Sequence, residues 1–181
     1  MKPILSVLTV VKNEDNNIKN LLESVKNIAD EIIVIDNNSA DGSCSMVSML
    51  FPEVRLIRNH KNTGFSAACN QAIRLSEGKF ILLLNPDTVV EEDTFTRCLR
   101  FMKEHPDTGA LGVKMINGKG RLLPESKRSL PTPATAFFKM SGLALLFPKS
   151  PLFNRYYLGY LGSSETTEDE IISGAFMFLR K

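Results

Sequence analysis

With 181 residues, 43% of them hydrophobic and 23% charged, the sequence is long enough to bury a full core and too apolar for a disordered chain. A formal net charge of +2, with basic residues scattered except around Lys127, Arg128, Lys139, Lys149 and Arg155, gives no basis for a nucleic-acid partner. Cys44, Cys69 and Cys98 lie far apart with no Cys-x-x-Cys, so neither a zinc site nor a disulfide framework is expected, and a reducing cytoplasm fits best.

Met1-Lys2-Pro3 leads directly into Ile4 to Val11, a β-branched apolar run that reads as a strand without a signal peptide before it. Lys12-Asn13-Glu14-Asp15-Asn16-Asn17 is a polar loop able to cap a helix, on which Ile18, Leu21, Leu22, Val25 and Ile28 recur at helical spacing. Glu31 to Ile35 is a second buried strand. Asp36 to Ser43 is a tight Asx- and Gly-containing loop before a short helix with Met46, Val47 and Leu50. Val54 to Ile57 reads as a third strand, Asn59 to Gly64 as a loop, and Phe65 to Leu75 as a helix with Ala68, Ala72 and Leu75 on one face. Phe80 to Leu84 is continuous and apolar, as a strand covered on both faces must be, and Pro86 ends it so that Asp87 is offered at its carboxyl end. A helix through Phe95, Leu99 and Met102 and a strand from Gly109 to Ile116 follow.

After Ile116 the character changes. Asn117-Gly118-Lys119-Gly120 is a hairpin-like turn, and Pro124, Pro131 and Pro133 break up a basic segment. The expected organisation is a nucleotide-binding half over 1–116 and the start of an acceptor-facing half over 117–181. The apolar run Ala134 to Phe147 contains Lys139 and falls short of the roughly 20 residues that span a bilayer. It reads as a core or acceptor-site helix, and its basic neighbours allow a peripheral membrane contact. The acidic stretch Thr166 to Glu170 precedes a last strand, Ile171 to Leu179.

Strands alternating with helices specify an α/β fold with a mostly parallel sheet and helices on both faces. Parallel strands present their carboxyl ends on one edge, so Lys12-Asn13-Glu14, Asp36 with Asp41, and Asn85 with Asp87 should converge in one crevice. Neither Gly-x-Gly-x-x-Gly nor a Walker motif follows the first strand, which excludes a Rossmann dinucleotide site and a P-loop NTPase. A nucleotidyltransferase would need a Gly-rich basic loop there, and none is present. Carboxylates in such a crevice can hold a base edge, a ribose diol, or a divalent cation that bridges a diphosphate.

Five stretches together carry a resemblance: Thr9 to Glu14, Ile35 to Ser43, Asn62 to Asn70, Leu84 to Thr88, and Ser173 to Met177. In this order and spacing they resemble the family 2 glycosyltransferases of the GT-A fold, and Asn-Pro-Asp-Thr with Ser-Gly-Ala-Phe resembles their rhamnosyltransferase-type branch. The resemblance implies inverting, metal-assisted transfer of a sugar from a nucleoside-diphosphate sugar to a glycan or lipid-linked acceptor, in cell-envelope polysaccharide synthesis. It places Val11, Asn13 and Glu14 against the nucleotide base and makes Asp36 the acceptor of the base N3–H. Asn38 and Asp41 belong to the same loop, while Asn62, Gly64 and Asn70 border the ribose and diphosphate. Asp87 corresponds to the last carboxylate of an Asp-x-Asp motif for Mg²⁺ or Mn²⁺, in which Asn85 stands for the first Asp. One negative charge fewer implies weak metal affinity before the donor brings its phosphates.

In that family the catalytic base lies beyond the Ser-Gly-Ala-Phe strand, so no catalytic residue is assigned and the base is expected beyond Lys181. Asp169 and Glu170 precede the strand and do not match it. The expectation is a partial, cytoplasmic chain, with a peripheral place at the inner face of the cell membrane left open, and with the last strand at or near an exposed edge that favours self-association. A module that binds a sugar-nucleotide without turnover stays open as the alternative.

Overall fold

The apolar runs become strands where the sequence places them. In the computed structural model, which describes residues 4–123, 126–158, 160–161, 166–168 and 171–181, β1 spans Leu5–Val11, β2 Glu31–Asp36, β3 Arg55–Arg58 and β4 Phe80–Leu84. Helices α1 (Asp15–Val25), α2 (Ser43–Leu50) and α3 (Phe65–Leu75) connect them, followed by α4 (Thr94–Glu104) and a two-residue strand β5 (Ala110–Leu111). Helices α5 (Pro133–Met140) and α6 (Leu143–Leu146) precede β6 (Phe176–Arg180). Met1 to Pro3, Pro124, Asp169 and Glu170 lie outside the described residues.

The six strands form one sheet in the order β3-β2-β1-β4-β6-β5, parallel from β3 to β4 and antiparallel at β6. Sequence order therefore runs outward from β1 to β3, then returns to the other side of β1 with β4. That reversal is the switch point at which open α/β sheets form a crevice.

β1, β2 and β4 are buried on both faces, which is why their sequences are continuously rather than alternately apolar. On one face Leu8, Ile33, Ile35, Ile81 and Leu83 meet Ala68, Cys69 and Ala72 of α3. These small side chains let the helix lie close to the strands, at the cost of little cavity space. On the other face Phe80 packs against Phe178, and Phe176 against Phe95 of α4.

The chain divides into two compact units, residues 1–111 with 174–181 and residues 112–173. In the second, Ile116 bridges Leu122 across the Asn117–Gly120 turn, closed by Gly120 N–H donating to Asn117 O, as the turn chemistry predicts. Thr132 and Thr135 cap α5 reciprocally with Pro133 at its first turn. The rings of Phe138 and Phe147 each lie 5.2 Å from that of Phe153.

Three expectations change. The strand expected over Gly109 to Ile116 shrinks to Ala110–Leu111, because only Leu179 and Phe178 of β6 offer it a ladder. The final strand starts at Phe176 rather than Ile171, after a turn at Gly174 whose Cα approaches the Phe65 ring; a Cβ there would sit 3.0 Å from Phe65 Cε1. It lies next to the sheet edge, as expected: the edge itself is the two-residue β5, which pairs only with Phe178 and Leu179. The run Ala134 to Phe147 is not a single core helix. Gly142, at φ +78°, separates α5 from α6, and only Thr135 and Ala144 of the two are buried. Among the described residues no helix is long and apolar enough to cross a membrane.

Tight backbone approach fixes the entry to β4. Gly78 N–H donates to the buried Ser6 hydroxyl at 2.9 Å, and Ser6 in turn donates to Glu31. A Cβ at Gly78 would sit 2.5 Å from Ser6 Oγ and 2.7 Å from Ser6 N, whereas one at Gly42 meets nothing within 4 Å. Gly78→Ala is expected to lower stability by about 1–3 kcal/mol in urea unfolding, with Gly42→Ala close to neutral. Equal midpoints for the two variants would refute the packing argument.

Candidate functional site at the carboxyl edge of the sheet

Register brings the polar strand tips to one edge. Val11 pairs with Asp36, Asp36 with Arg58, and Leu8 with Leu83, so the chain beyond Leu84 emerges beside the end of β1. Asp36 ends β2 on one side of β1, and Asp87 follows β4 on the other side, three residues past the end of that strand.

The loop after β1 is held by side chains of the loop after β2. Asn13 N–H donates to Ser39 Oγ (2.9 Å), Glu14 N–H to Ser43 Oγ (3.1 Å) and Asp15 N–H to Asp41 Oδ2 (3.2 Å), while Asn13 Oδ1 accepts from Ala40 N–H (2.9 Å). Asn13 and Asn38 both occupy the left-handed region, at φ +59° and +68°, which Asn tolerates better than most residues. Glu14 is the N-cap of α1 but its side chain caps nothing; the N–H groups of Glu14 and Asp15 are satisfied from the neighbouring loop. Val11 is buried, and Asn13 is exposed with Glu14 half-buried at the crevice edge.

Asp36 is 3% exposed at the end of β2. Its carboxylate accepts from Ser39 N–H at 3.2 Å. Burial, together with the nearby Asp36 carboxylate, pushes the Cys44 thiol up to about 11. Asp41, half-buried, accepts from the hydroxyl of Ser43 (2.6 Å) and its N–H (3.1 Å). Burial alone would raise the Asp41 carboxyl, but the hydrogen bonds from Ser43 and from the N–H of Asp15 outweigh it and hold the group below its ordinary 3.8.

The third loop is organised by a residue that the sequence reading passed over. Asn37 is 4% exposed. Its Oδ1 accepts from Thr63 N–H (2.9 Å), the Thr63 hydroxyl (3.1 Å) and Asn59 Nδ2 (3.4 Å), and its Nδ2 donates to Asn62 Oδ1 (2.7 Å). Asn62 Oδ1 also accepts from Gly64 N–H, leading into α3 with Gly64 at φ +82°. Asn62, Gly64 and Asn70 are all exposed on this side of the sheet, Asn70 one turn into α3. Within a run of Asp, Asn and Ser, nothing but position sets Asn37 apart: it directly follows a buried strand, so its amide had to find partners.

The tip of β4 is tied to the final strand. Asn85 N–H donates to Ala175 O (3.0 Å), Thr88 N–H to Asn85 O (3.2 Å), and Thr88 Oγ1 to Ala175 O (3.4 Å). Asn85 is half-buried and Asp87 exposed. Among the described residues no three His, Cys, Asp or Glu side chains form a group that could hold a metal by themselves. The exposed Asp87 carboxylate and the amide oxygen of Asn85, two residues before it, are hard donors too few to hold a metal alone, a set suited to an ion that completes its shell with phosphate oxygens and water.

Comparison with known proteins agrees with this architecture. The family model described as "Glycosyl transferase family 2" matches residues 6–162. The chain is 26% identical to the poly-beta-1,6-N-acetyl-D-glucosamine synthase of Staphylococcus epidermidis, over 93% of this chain and 44% of that protein. It is 30% identical to the minor teichoic acid biosynthesis protein GgaB of Bacillus subtilis, over 66% of this chain and 13% of that protein. It thus spans less than half the length of these relatives. Among solved structures, the mannosyltransferase PcManGT of Pyrobaculum calidifontis, in complex with GDP-Man and Mn²⁺, superposes with a TM-score of 0.56 at 24% identity, covering 64% of this chain and 36% of that one. TarS 1-349 of Staphylococcus aureus in complex with UDP-GlcNAc gives 0.55 at 24% identity, over 73% and 38%. These two likenesses show the fold, which is that of GT-A glycosyltransferases.

Two outcomes are expected. Asn37→Ala leaves Thr63 N–H and Asn62 without their shared partner, and trypsin should cut after Lys61 roughly tenfold faster at unchanged global stability conditions; an unchanged cutting rate would remove Asn37 from this role. Because the folded Asp41 carboxyl lies below its unfolded value of 3.8, its contribution is complete above that pH and is lost as pH falls through the folded value. A carbon-detected NMR titration should put the Asp41 midpoint below 3.8, and a midpoint at or above it would contradict the hydrogen-bond account.

Proposed function

The chain belongs to glycosyl transferase family 2, and from that premise we propose that its first unit binds the donor of a sugar transfer from a nucleoside-diphosphate sugar to a glycan or lipid-linked acceptor at the inner face of the cell membrane. The observation that carries this reading is the convergence of the tips of β2, β1 and β4 at the switch point, with two of the three loops stitched to each other by side chains. A crevice of that kind, edged by Asp36 on one flank and Asp87 on the other, suits a ligand with a base at one end and a diphosphate at the other.

In this proposal Asp36, held at the end of β2, accepts an N–H of the base, with Val11, Asn13 and Glu14 forming the wall beside it. Asn38 and Asp41 keep the β2 loop in shape for that contact. Asn62, Gly64 and Asn70 border the ribose and diphosphate, on a loop whose form depends on Asn37. Asp87, with the Asn85 amide oxygen, would hold Mg²⁺ or Mn²⁺, and such an ion neutralises charge on the departing diphosphate. The acceptor hydroxyl attacks the anomeric carbon opposite the leaving nucleoside diphosphate, so configuration inverts; the base that takes its proton is assigned to none of these residues. The relatives support an envelope polysaccharide as the setting. Rhamnosyl transfer is the narrower reading of Asn-Pro-Asp-Thr.

Titration calorimetry with UDP- and GDP-sugars, with and without Mn²⁺, tests the division of labour. Asp36→Ala is expected to weaken nucleotide binding roughly tenfold or more whether or not metal is present, since it removes a hydrogen bond to a charged acceptor. Asp87→Ala should remove mainly the metal-dependent increment, and metal alone should bind weakly to the unmodified chain. Identical losses in both variants, or tight metal binding without nucleotide, would overturn the assignment.

A further inference from the structure

The second unit carries a surface that its own packing leaves uncovered. On α5, Thr135 and Phe138 turn inward, while Pro133, Ala136, Phe137 and Met140, at i, i+3, i+4 and i+7, form an outward apolar stripe. Helices at a solvent boundary ordinarily place polar residues there. Phe137 is 62% exposed and Met140 88%, and beyond the Gly142 break Leu145, Leu146, Phe147 and Leu152 are likewise exposed. The inward Phe138 ring stacks edge-on to Phe153, which also contacts Phe147, so an aromatic base fixes the segment that presents these side chains.

Along this stretch of sequence the charge has one sign. From Ser126 to Tyr160 the sequence holds Lys127, Arg128, Lys139, Lys149 and Arg155 and not a single Asp or Glu, although the whole chain is nearly balanced at +2. Lys139 lies over the rings of Tyr156 and Tyr157, at 5.2 and 5.5 Å from their centroids, and Lys149 and Arg155 are exposed. Exposed apolar side chains with exposed cations close by in sequence, here Lys149 and Arg155, are what an interfacial segment presents to a bilayer: the former enter the acyl boundary and the latter meet anionic headgroups. A water-facing protein partner would not require the complete exclusion of acidic residues over this length.

We propose that the α5–α6 segment of the second unit docks on an anionic membrane surface, with Phe137, Met140, Leu145 and Leu146 inserted and Lys149 and Arg155 at headgroup level. The proposal deepens the reading above, on which it rests only for its purpose, namely bringing the enzyme to a lipid-linked acceptor. The contact itself needs neither donor nor acceptor.

Co-sedimentation of the full chain with vesicles tests it, using phosphatidylcholine alone and phosphatidylcholine mixed with phosphatidylglycerol. Binding is expected to the mixed vesicles, to weaken with added salt, and to be much weaker on phosphatidylcholine alone. Lys149→Gln and Arg155→Gln should each lower binding about fivefold, and Phe137→Ser with Leu145→Ser should abolish it. Circular dichroism and nucleotide-sugar binding should stay unchanged in all of these variants. No binding to anionic vesicles, equal binding to both compositions, or an apolar face buried instead in a dimer that Phe137→Ser dissociates would overturn the proposal. Because donor binding is read separately, loss of vesicle binding with donor binding intact sinks only this inference, and the reverse sinks only the donor assignment.

Discussion

The backbone N–H groups of Asn13, Glu14 and Asp15 find their acceptors in the next loop along the sheet, on Ser39, Ser43 and Asp41. The free donors of a helix start need acceptors, and because α1 lacks a capping side chain of its own the neighbouring loop supplies them. The form of the first two loops follows from this dependence. It fixes the β1 loop against the β2 loop, fixes Asn13 in its left-handed conformation, and holds Asp41 ionised with its oxygens pointing at the joint. The β2 loop in turn anchors the third loop through Asn37, so three connections that are distant in sequence behave as one polar body laid across the strand ends.

The energetic logic beneath it is ordinary. Fully buried strands β1, β2 and β4 provide a platform with no tolerance for a shift of register, because a slip by one residue would exchange the side chains facing α3 with those on the opposite face. Asp36 is the residue at which β2 leaves the ladder, so the same register that packs Ile33 and Ile35 on α3 delivers that carboxylate to the edge. Ser6, Gly78 and Glu31 perform the complementary task at the opposite end, tying the start of β4 to β1 and β2.

Much of this was legible from residues alone, and the exceptions have physical causes. Phe80 to Leu84 announced itself because five apolar residues between Lys79 and Asn85 can only be a strand covered on both sides. Convergence of the polar tips followed from parallelism. Gly109 to Ile116 misled because apolar content cannot report whether a ladder partner exists, and β6 offers only two residues there. The apolar run Ala134 to Phe147 looked like core because composition does not reveal which way a helix faces; its stripe points outward. Asn37 escaped notice beside Asp36 and Asn38, since an Asx-rich loop disguises the one amide that is buried. Ser39 and Ser43 escaped for the same reason.

The strand Phe176–Arg180 lies between β4 and β5, and its neighbour Ala175 supplies the carbonyl that positions Asn85 and Thr88. As the ribosome delivers the chain from its amino end, β4 therefore waits with one side unpaired until nearly a hundred further residues have emerged. Closing so long a loop makes this pairing a late step in maturation, and a nascent polypeptide paused before it would expose a hydrophobic ladder to chaperones or to its neighbours on the same message.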